Sequence, residues 1–273
     1  MSVNINQIVI GGNNPFVLIA GPCVVESEKL ILDTAAEIKK ITAELNLSFI
    51  FKSSFKKANR TNLKSFTGLG DEESILILKK VKDELGLSVV TDIHSEADVN
   101  KVMDAVDILQ IPAFLSRQTD LLIAAGESGK VVNIKKGQFL APEDMKHAAD
   151  KVASTGNNKI LLTERGTTFG YHNLVVDMRS LVIMRALGYP VVMDATHAVQ
   201  LPSKALTSGG QPKFIKPLAR AAMAVGIDAL FLEVHPDPKN ALSDAASQLP
   251  LSELKNLLIE LKEIDQITKA RLI

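Results

Sequence analysis

The stretch Phe49–Arg60, FIFKSSFKKANR, begins as an apolar run and ends as a run of cations. With Leu47 ahead of it, Phe49 to Phe51 has the length and the aromatic and β-branched character of a buried strand. Lys52, Lys56, Lys57 and Arg60 then follow in close succession, spaced by Ser53, Ser54 and Asn59. A strand that delivers cations at its C-terminal end predicts an anion site there. Phe55 supports that reading, because a solvated basic loop has no need of an aromatic anchor in its middle. Lysine supplies a mobile point charge and arginine a planar fork, so the combination suits a substrate with more than one phosphate or carboxylate. A basic surface loop is the competing reading of this stretch alone.

Outward from it, the same alternation recurs: a short β-rich apolar run, then a segment of helical period. Strands are predicted at 16–20, 49–53, 88–93, 107–111, 131–135, 160–164, 191–195 and 230–234. Helical period fills 28–45, 72–85, 97–105, 119–128, 142–154, 173–187, 217–226 and 252–264. Eight such pairs match a (β/α)8 TIM barrel, whereas a doubly wound sheet more often has fewer strands. Ahead of the first pair, Ile8–Ile10 and the turn-forming Gly11-Gly12-Asn13-Asn14 predict a hairpin arm or plug within residues 1–14. No linker divides the chain. Residues 1–273 are therefore expected to form one α/β barrel domain with a short N-terminal β-hairpin. The poorly patterned stretch 200–211, QLPSKALTSGGQ, follows a strand and is expected to be a mobile active-site loop.

Composition narrows the partners. Thirty-one basic residues balance thirty-one acidic ones in the 273-residue chain, so neither nucleic acid nor an anionic membrane surface is expected as a partner. Anion binding has to be local. Tryptophan is absent and aromatics are few, which removes stacking platforms for single strands. The lone cysteine, Cys23, excludes an intramolecular disulfide, and MSVNINQIVIGG lacks the basic and apolar regions of a signal peptide. A cytoplasmic protein is expected.

In such a barrel the catalytic residues sit at the C-terminal ends of strands, so polar residues there are expected to share one mouth. In chain order these are Cys23 and Glu26, Lys52 and Lys57, Asp92 and His94, Gln110 and Arg117. Lys135, Lys136 and Gln138, Glu164 and Arg165, Asp194 and His197, then Glu233, His235 and Asp237 complete the set. Lys52, Lys57, Lys135 and Arg165 arrive from separate strands, which a chance basic patch would not produce. Cys23, His197, Glu233 and a later carboxylate could together hold a divalent metal, with Zn, Fe(II), Mn and Co all compatible with the donors. Taken singly, each has a plainer reading as a buried small residue or a satisfied polar group.

These loops resemble a known family. GPCVVES (21–27), FKSSFKKANR, TDIH (91–94), QIPAFLSRQTDL (110–121), NIKKGQFLAPEDM, ERGTTFGYHNLVVDMRS, MDATHAVQLP and EVHPDPKNALSDAASQLPL are similar, in order, to 3-deoxy-D-manno-octulosonate 8-phosphate synthases. The sister 3-deoxy-D-arabino-heptulosonate 7-phosphate synthases typically carry Lys-Pro-Arg-Thr or Lys-Pro-Arg-Ser where this chain has Lys57-Ala58-Asn59-Arg60. The resemblance implies condensation of phosphoenolpyruvate with arabinose 5-phosphate, releasing inorganic phosphate, in lipopolysaccharide precursor synthesis. It implies that Lys52, Lys57, Lys135, Gln138 and Arg165 hold phosphoenolpyruvate. Ser54 would contact substrate, Asn59 and Arg60 with Thr61 would face arabinose 5-phosphate, and Arg117 would reach its phosphate from a neighbouring subunit of a homotetramer. The cysteine form resembles the metal-dependent class, with Cys23, His197, Glu233 and Asp244 as ligands. Lys57, Asn59, His197 and Asp244 are the expected catalytic residues. Thr61-Asn62 departs from the family's usual Ser-Ser, which bears on the aldose phosphate contacts. A heptulosonate synthase and a non-catalytic phosphosugar-binding barrel are the alternatives.

Overall fold

The computed structural model describes residues 1–59, 65–202 and 209–270. The predicted runs form eight strands: β1 (Val17–Gly21), β2 (Phe49–Lys52), β3 (Ser88–Asp92), β4 (Ile108–Ile111), β5 (Val131–Lys135), β6 (Ile160–Glu164), β7 (Val191–Asp194) and β8 (Ala229–His235). Each pairs in parallel with the next, and β8 returns to pair with β1, so the ring closes without an edge. All residues of these strands are buried, as expected of parallel strands covered on one side by helices and on the other by their own barrel.

The helices between them are α1 (Glu28–Glu44), α2 (Asp71–Leu85), α3 (Glu96–Val102), α4 (Thr119–Glu127), α5 (Met145–Ala153), α6 (Arg179–Ala186), α7 (Ile215–Val225) and α8 (Leu251–Lys269). Their apolar stripes pack on the outward-facing strand residues Leu18, Phe51, Val89, Leu109, Ile134, Leu162, Met193 and Leu232 in one continuous core. Helix α6 departs most from its periodicity, which predicted a start at residue 173. Instead Leu174–Val175 forms an antiparallel ladder with Thr167–Thr168, and the helix begins after Asp177, whose carboxylate accepts the Arg179 N–H at 3.0 Å. Leu174 is buried beneath Gly166, so burial in a hairpin accounts for an apolar position that helical spacing also explained.

Inside the barrel the alternation of side chains separates two chemistries. The lower layer is apolar and takes a residue from every strand: Val17 and Ile19, Ile50, Val90, Ile108, Val131, Leu161, Val192, and Ala229 with Phe231. Val3, Ile5 and Ile10 of the N-terminal hairpin close this layer from below. The hairpin pairs Ser2–Ile5 with Ile8–Gly11, turning at Asn6, which takes φ 52°. The glycine-rich 11–14 segment therefore links the plug to β1 rather than forming the hairpin turn. Ile10 is fully buried. Its replacement by alanine is expected to lower stability by about 3 kcal/mol, read as a shifted urea midpoint at unchanged slope.

Above the apolar layer the inward positions become Lys52, Asp92, Gln110, Asn133, Lys135, Thr163, Asp194 and Glu233, all buried. This change of polarity, at the C-terminal ends of the strands, places the site.

Candidate active site

Local backbone geometry fixes the first donors. After β1 the chain runs alongside the segment after β2: Ser54 N–H donates to Cys23 O at 3.3 Å and Val25 N–H to Ser54 O at 3.0 Å. Gly21 permits this approach, because a Cβ there would lie 2.2 Å from the Lys52 carbonyl oxygen. Cys23 is thereby held rigidly at the mouth, its N–H directed to Gln248 Oε1 at 3.4 Å. Its sulfur lies 3.1 Å from Ser243 Oγ and 3.2 Å from Asp244 Oδ2. Asp244 reaches that position from a backbone with φ 48°, a left-handed conformation that aspartate tolerates better than most residues. Cys23, Glu233 and Asp244 form a group whose candidate ligand atoms lie within 4.8 Å of one another.

That donor set fits a divalent cation. Burial, with Asp244 and Glu233 beside it, pushes the Cys23 thiol well above its ordinary value, so the thiol holds its proton and donates toward Asp244. A cation would replace that proton. Glu233 Oε2 is buried with no hydrogen-bond partner. His197 stands next to the cluster, with Nε2 3.5 Å from Glu233 Oε1 and Nδ1 2.8 Å from Asp194 Oδ2. Asp194 is a fixed acceptor, bonded through Oδ1 to the N–H groups of Thr196 and His197 and to the Thr196 hydroxyl. It therefore fixes the imidazole through Nδ1 and turns Nε2 toward Glu233.

The cations surround this cluster. Lys52 Nζ donates to Glu233 Oε1, Cys23 O and Ser54 Oγ, each at 3.1 Å, and stands 3.6 Å from Asp92. Lys57 Nζ is 3.8 Å from Glu233. Lys135 Nζ donates to Asp194 at 2.6 Å and lies 4.2 Å from the centre of the Phe231 ring. Burial opposes charge on all three carboxylates, but the cations outweigh it. Lys52, Lys57 and Lys135 hold Asp92 below the ordinary carboxylate range, His197 with Lys52 and Lys57 does the same for Glu233, and His197 with Lys135 for Asp194. Lys135 and Arg165 are themselves lowered by burial, against the raising effect of Asp194.

Unsatisfied atoms mark places for substrate groups. Arg165 is fixed through Nη2 to Gln200 Oε1 at 2.9 Å, while its Nη1 is buried without a partner among the described residues. Gln138 Oε1 is likewise buried and unpartnered there. In a buried mouth the guanidinium N–H is a donor that an anion completes, and the amide oxygen is an acceptor that a hydroxyl or other donor completes.

Several predicted residues stand elsewhere. Lys136 and Glu164, expected at the mouth, face outward: Lys136 donates to Thr167 Oγ1 at 3.1 Å, and Glu164 accepts from the Ser180 hydroxyl of α6 at 2.5 Å and from the Arg165 and Gly166 N–H groups. Their position one residue away from Lys135 and Arg165 puts them on the opposite face of the strand line. Asn59 is exposed at the rim. Arg117 is exposed just before α4, its side chain making no hydrogen bond or ion pair among the described residues, and its carbonyl accepts from Lys151 at 2.9 Å. Arg60 and Thr61 lie outside the described residues, as does the centre of the 200–211 loop, whose flanks pair as Gln200–Leu201 with Gly209–Gly210. Sequence reasoning missed Ser243, Gln248, Gln200 and Phe231. Only Phe231 carried a signal, being two residues before Glu233 on one strand and hence on its inward face.

Comparison with known proteins agrees with this picture. The family model described as the DAHP synthetase I family matches residues 1–270. The chain is 58% identical over 269 residues to a 2-dehydro-3-deoxyphosphooctonate aldolase of Syntrophotalea carbinolica, covering 98% of this chain and 97% of that one. It is 53% identical over 268 residues to the protein of the same name from Geobacter sulfurreducens, covering 98% of each. To that of Variovorax paradoxus it is 56% identical over 267 residues, covering 95% of this chain and 94% of the other. A closed barrel with cations and a thiol–carboxylate cluster at its C-terminal mouth, matched from end to end in sequence, makes this chain an enzyme of the DAHP synthetase I family.

Proposed function

We propose that the enzyme condenses phosphoenolpyruvate with arabinose 5-phosphate to give 3-deoxy-D-manno-octulosonate 8-phosphate and inorganic phosphate, with residues 1–273 acting as one barrel domain. The observation that carries this reading is the convergence of Lys52, Lys57, Lys135 and Arg165 on one buried mouth. Phosphoenolpyruvate places a carboxylate and a phosphate on adjacent atoms, and a dianionic head of that kind needs several cations from different directions. The name shared by the relatives, 2-dehydro-3-deoxyphosphooctonate aldolase, supports the eight-carbon product.

In this reading Arg165 Nη1, the unsatisfied donor, takes the bound anion together with Lys52, Lys57 and Lys135, and Gln138 joins them by turning its amide N–H toward it. C3 of phosphoenolpyruvate attacks the aldehyde carbon of arabinose 5-phosphate, water adds at C2, and the resulting hemiketal phosphate loses phosphate by cleavage of its C2–O bond. The cations stabilise the negative charge that stays on the departing phosphate. Bound by Cys23, His197, Glu233 and Asp244, a divalent cation (Zn, Fe(II), Mn or Co) would orient the water or the aldehyde. Asp194 holds His197 in the tautomer that serves this set. Ser54 fixes Lys52, while Asn59, Arg60 and Thr61 stand on the arabinose side. Arg117, exposed beside Phe114, reaches a neighbouring mouth in a homotetramer, and the enzyme works in the cytoplasm. Among the described residues no helix is long and apolar enough to cross a membrane.

Phosphate release from phosphoenolpyruvate is expected with arabinose 5-phosphate and not with erythrose 4-phosphate. It is expected to fall after treatment with a strong chelator and to return on adding Mn, Fe(II), Co or Zn. Turnover with erythrose 4-phosphate alone would identify a heptulosonate synthase, and binding of both substrates without phosphate release would identify a non-catalytic barrel.

A further inference from the structure

Beside the lysines, the barrel interior holds a line of polar side chains that neither the anion site nor the cation cluster uses. Thr163 Oγ1 on β6 donates to Asn133 Oδ1 at 2.6 Å. Asn133 Nδ2 on β5 donates to Gln110 Oε1 at 2.9 Å. Gln110 Nε2 on β4 donates to Asp92 Oδ1 on β3 at 2.6 Å. Asp92 Oδ2 accepts from the Ser54 hydroxyl and faces Lys52 at 3.6 Å. Gln110, Asn133 and Thr163 are fully buried, so each amide must find its partners inside this line.

The line has one orientation. An ionised Asp92 only accepts, so it must meet the Gln110 amide nitrogen. That turns Gln110 Oε1 toward Asn133, which must then present its own nitrogen and turn Oδ1 toward Thr163. The threonine hydroxyl is the donor that ends the chain. Asp92, Gln110 and Asn133 are in register across β3, β4 and β5, and Thr163 stands two residues beyond Leu161, the register partner of Asn133 on β6. Every dipole points its positive end at the carboxylate, and the bonds reinforce one another in a dry interior.

We propose that Gln110, Asn133 and Thr163 are positioning residues that hold the Asp92 carboxylate in the plane where it sets Lys52 and the mouth for phosphoenolpyruvate. The role rests on the proposed function for its kinetic readout, and on Asp92 alone for its structural one. Removing the terminal donor leaves Asn133 Oδ1 buried without a donor, so Asn133 and then Gln110 shift to restore its hydrogen bonding, and the amide that fixes Asp92 moves with them. Asp92 must then rotate.

The test is Thr163→Val, which preserves shape and deletes the donor, with Thr163→Ser as rescue. The crystal structure of Thr163→Val is expected to show the Asn133 and Gln110 amides displaced and the Asp92 carboxylate rotated; an unmoved Asp92 would overturn the proposal whatever the enzyme's substrate. In phosphate release, Thr163→Val is expected to raise KM for phosphoenolpyruvate roughly 10-fold with a smaller change in kcat, as loss of about one buried hydrogen bond allows. Thr163→Ser is expected to restore it. In the double variant with Asp92→Asn, the threonine substitution is expected to add nothing further, because it acts through Asp92. Effects that multiply instead would show that Thr163 acts independently and overturn the proposal. Should Thr163→Val fold poorly, Gln110→Met breaks the same line beside Asp92 and is expected to give the same KM signature. A wild-type enzyme with no turnover would count against the proposed reaction, leaving the structural comparison to decide the positioning role.

Discussion

Replacing Arg165 by methionine is expected to lower kcat/KM for phosphoenolpyruvate by about 10²- to 10³-fold, the range found when one preorganised donor to a developing anion is lost. The guanidinium is held in place before substrate arrives: Nη2 is bonded to Gln200, Nη1 is buried and unpartnered, and the N–H of the same residue is fixed on Glu164. Its donor therefore needs no reorganisation to meet an anion. Arg165→Lys is expected to recover little of the loss, since an ammonium cannot bond Gln200 and the substrate in the geometry of a planar fork. Steady-state phosphate release at varied phosphoenolpyruvate, with thermal melting to confirm folding, measures both variants. An Arg165→Met enzyme with near wild-type kcat/KM would remove this residue from the anion site.

The second large effect falls on stability. Glu233 is fully buried between Lys52 at 3.1 Å, His197 at 3.5 Å and Lys57 at 3.8 Å. Glu233→Ala strands those cations, and breaking one side of a buried ion pair in this way is expected to cost about 3–5 kcal/mol. The variant is also expected to lose retained metal, measurable by elemental analysis beside a denaturant titration. The same carboxylate predicts an acid transition. Its folded pKa is lowered, as are those of Asp92 and Asp194. Each then contributes stability that is complete above its unfolded value, near about 4, and is lost as pH falls toward the folded value. The melting temperature is expected to hold from neutrality to about pH 5 and to drop steeply below pH 4. In Glu233→Ala that drop is expected to be shallower, and an identical slope would show that Glu233 is not one of the groups responsible.

The barrel was legible because its strands are buried on both faces, which leaves apolar runs such as Phe49–Phe51 too short for helices and too apolar for loops. Side-chain alternation also made the mouth legible, and Lys52, Lys135, Arg165 and Glu233 stand where strand ends placed them. Position at a strand end misled where alternation was not applied to it. Lys136 and Glu164 each stand one residue from an inward side chain, Lys135 and Arg165, and alternation turns them toward the helices. The start of α6 was misread because Leu174 satisfies helical spacing and hairpin burial equally. Ser243, Gln248 and Gln200 could not be found at all, since their importance lies in contacts across long sequence separations, such as Gln248 with Cys23.

The hairpin that closes the barrel has a consequence for the order of assembly. It precedes every barrel strand in the chain, yet its apolar face rests on residues supplied by all eight, from Val17 to Phe231. During synthesis it thus emerges before the barrel strands yet is the last to find its berth, which exists only once β8 has joined β1. Docking of Val3, Ile5 and Ile10 therefore works as a completion check: burial of this first segment reports that the final strand has arrived.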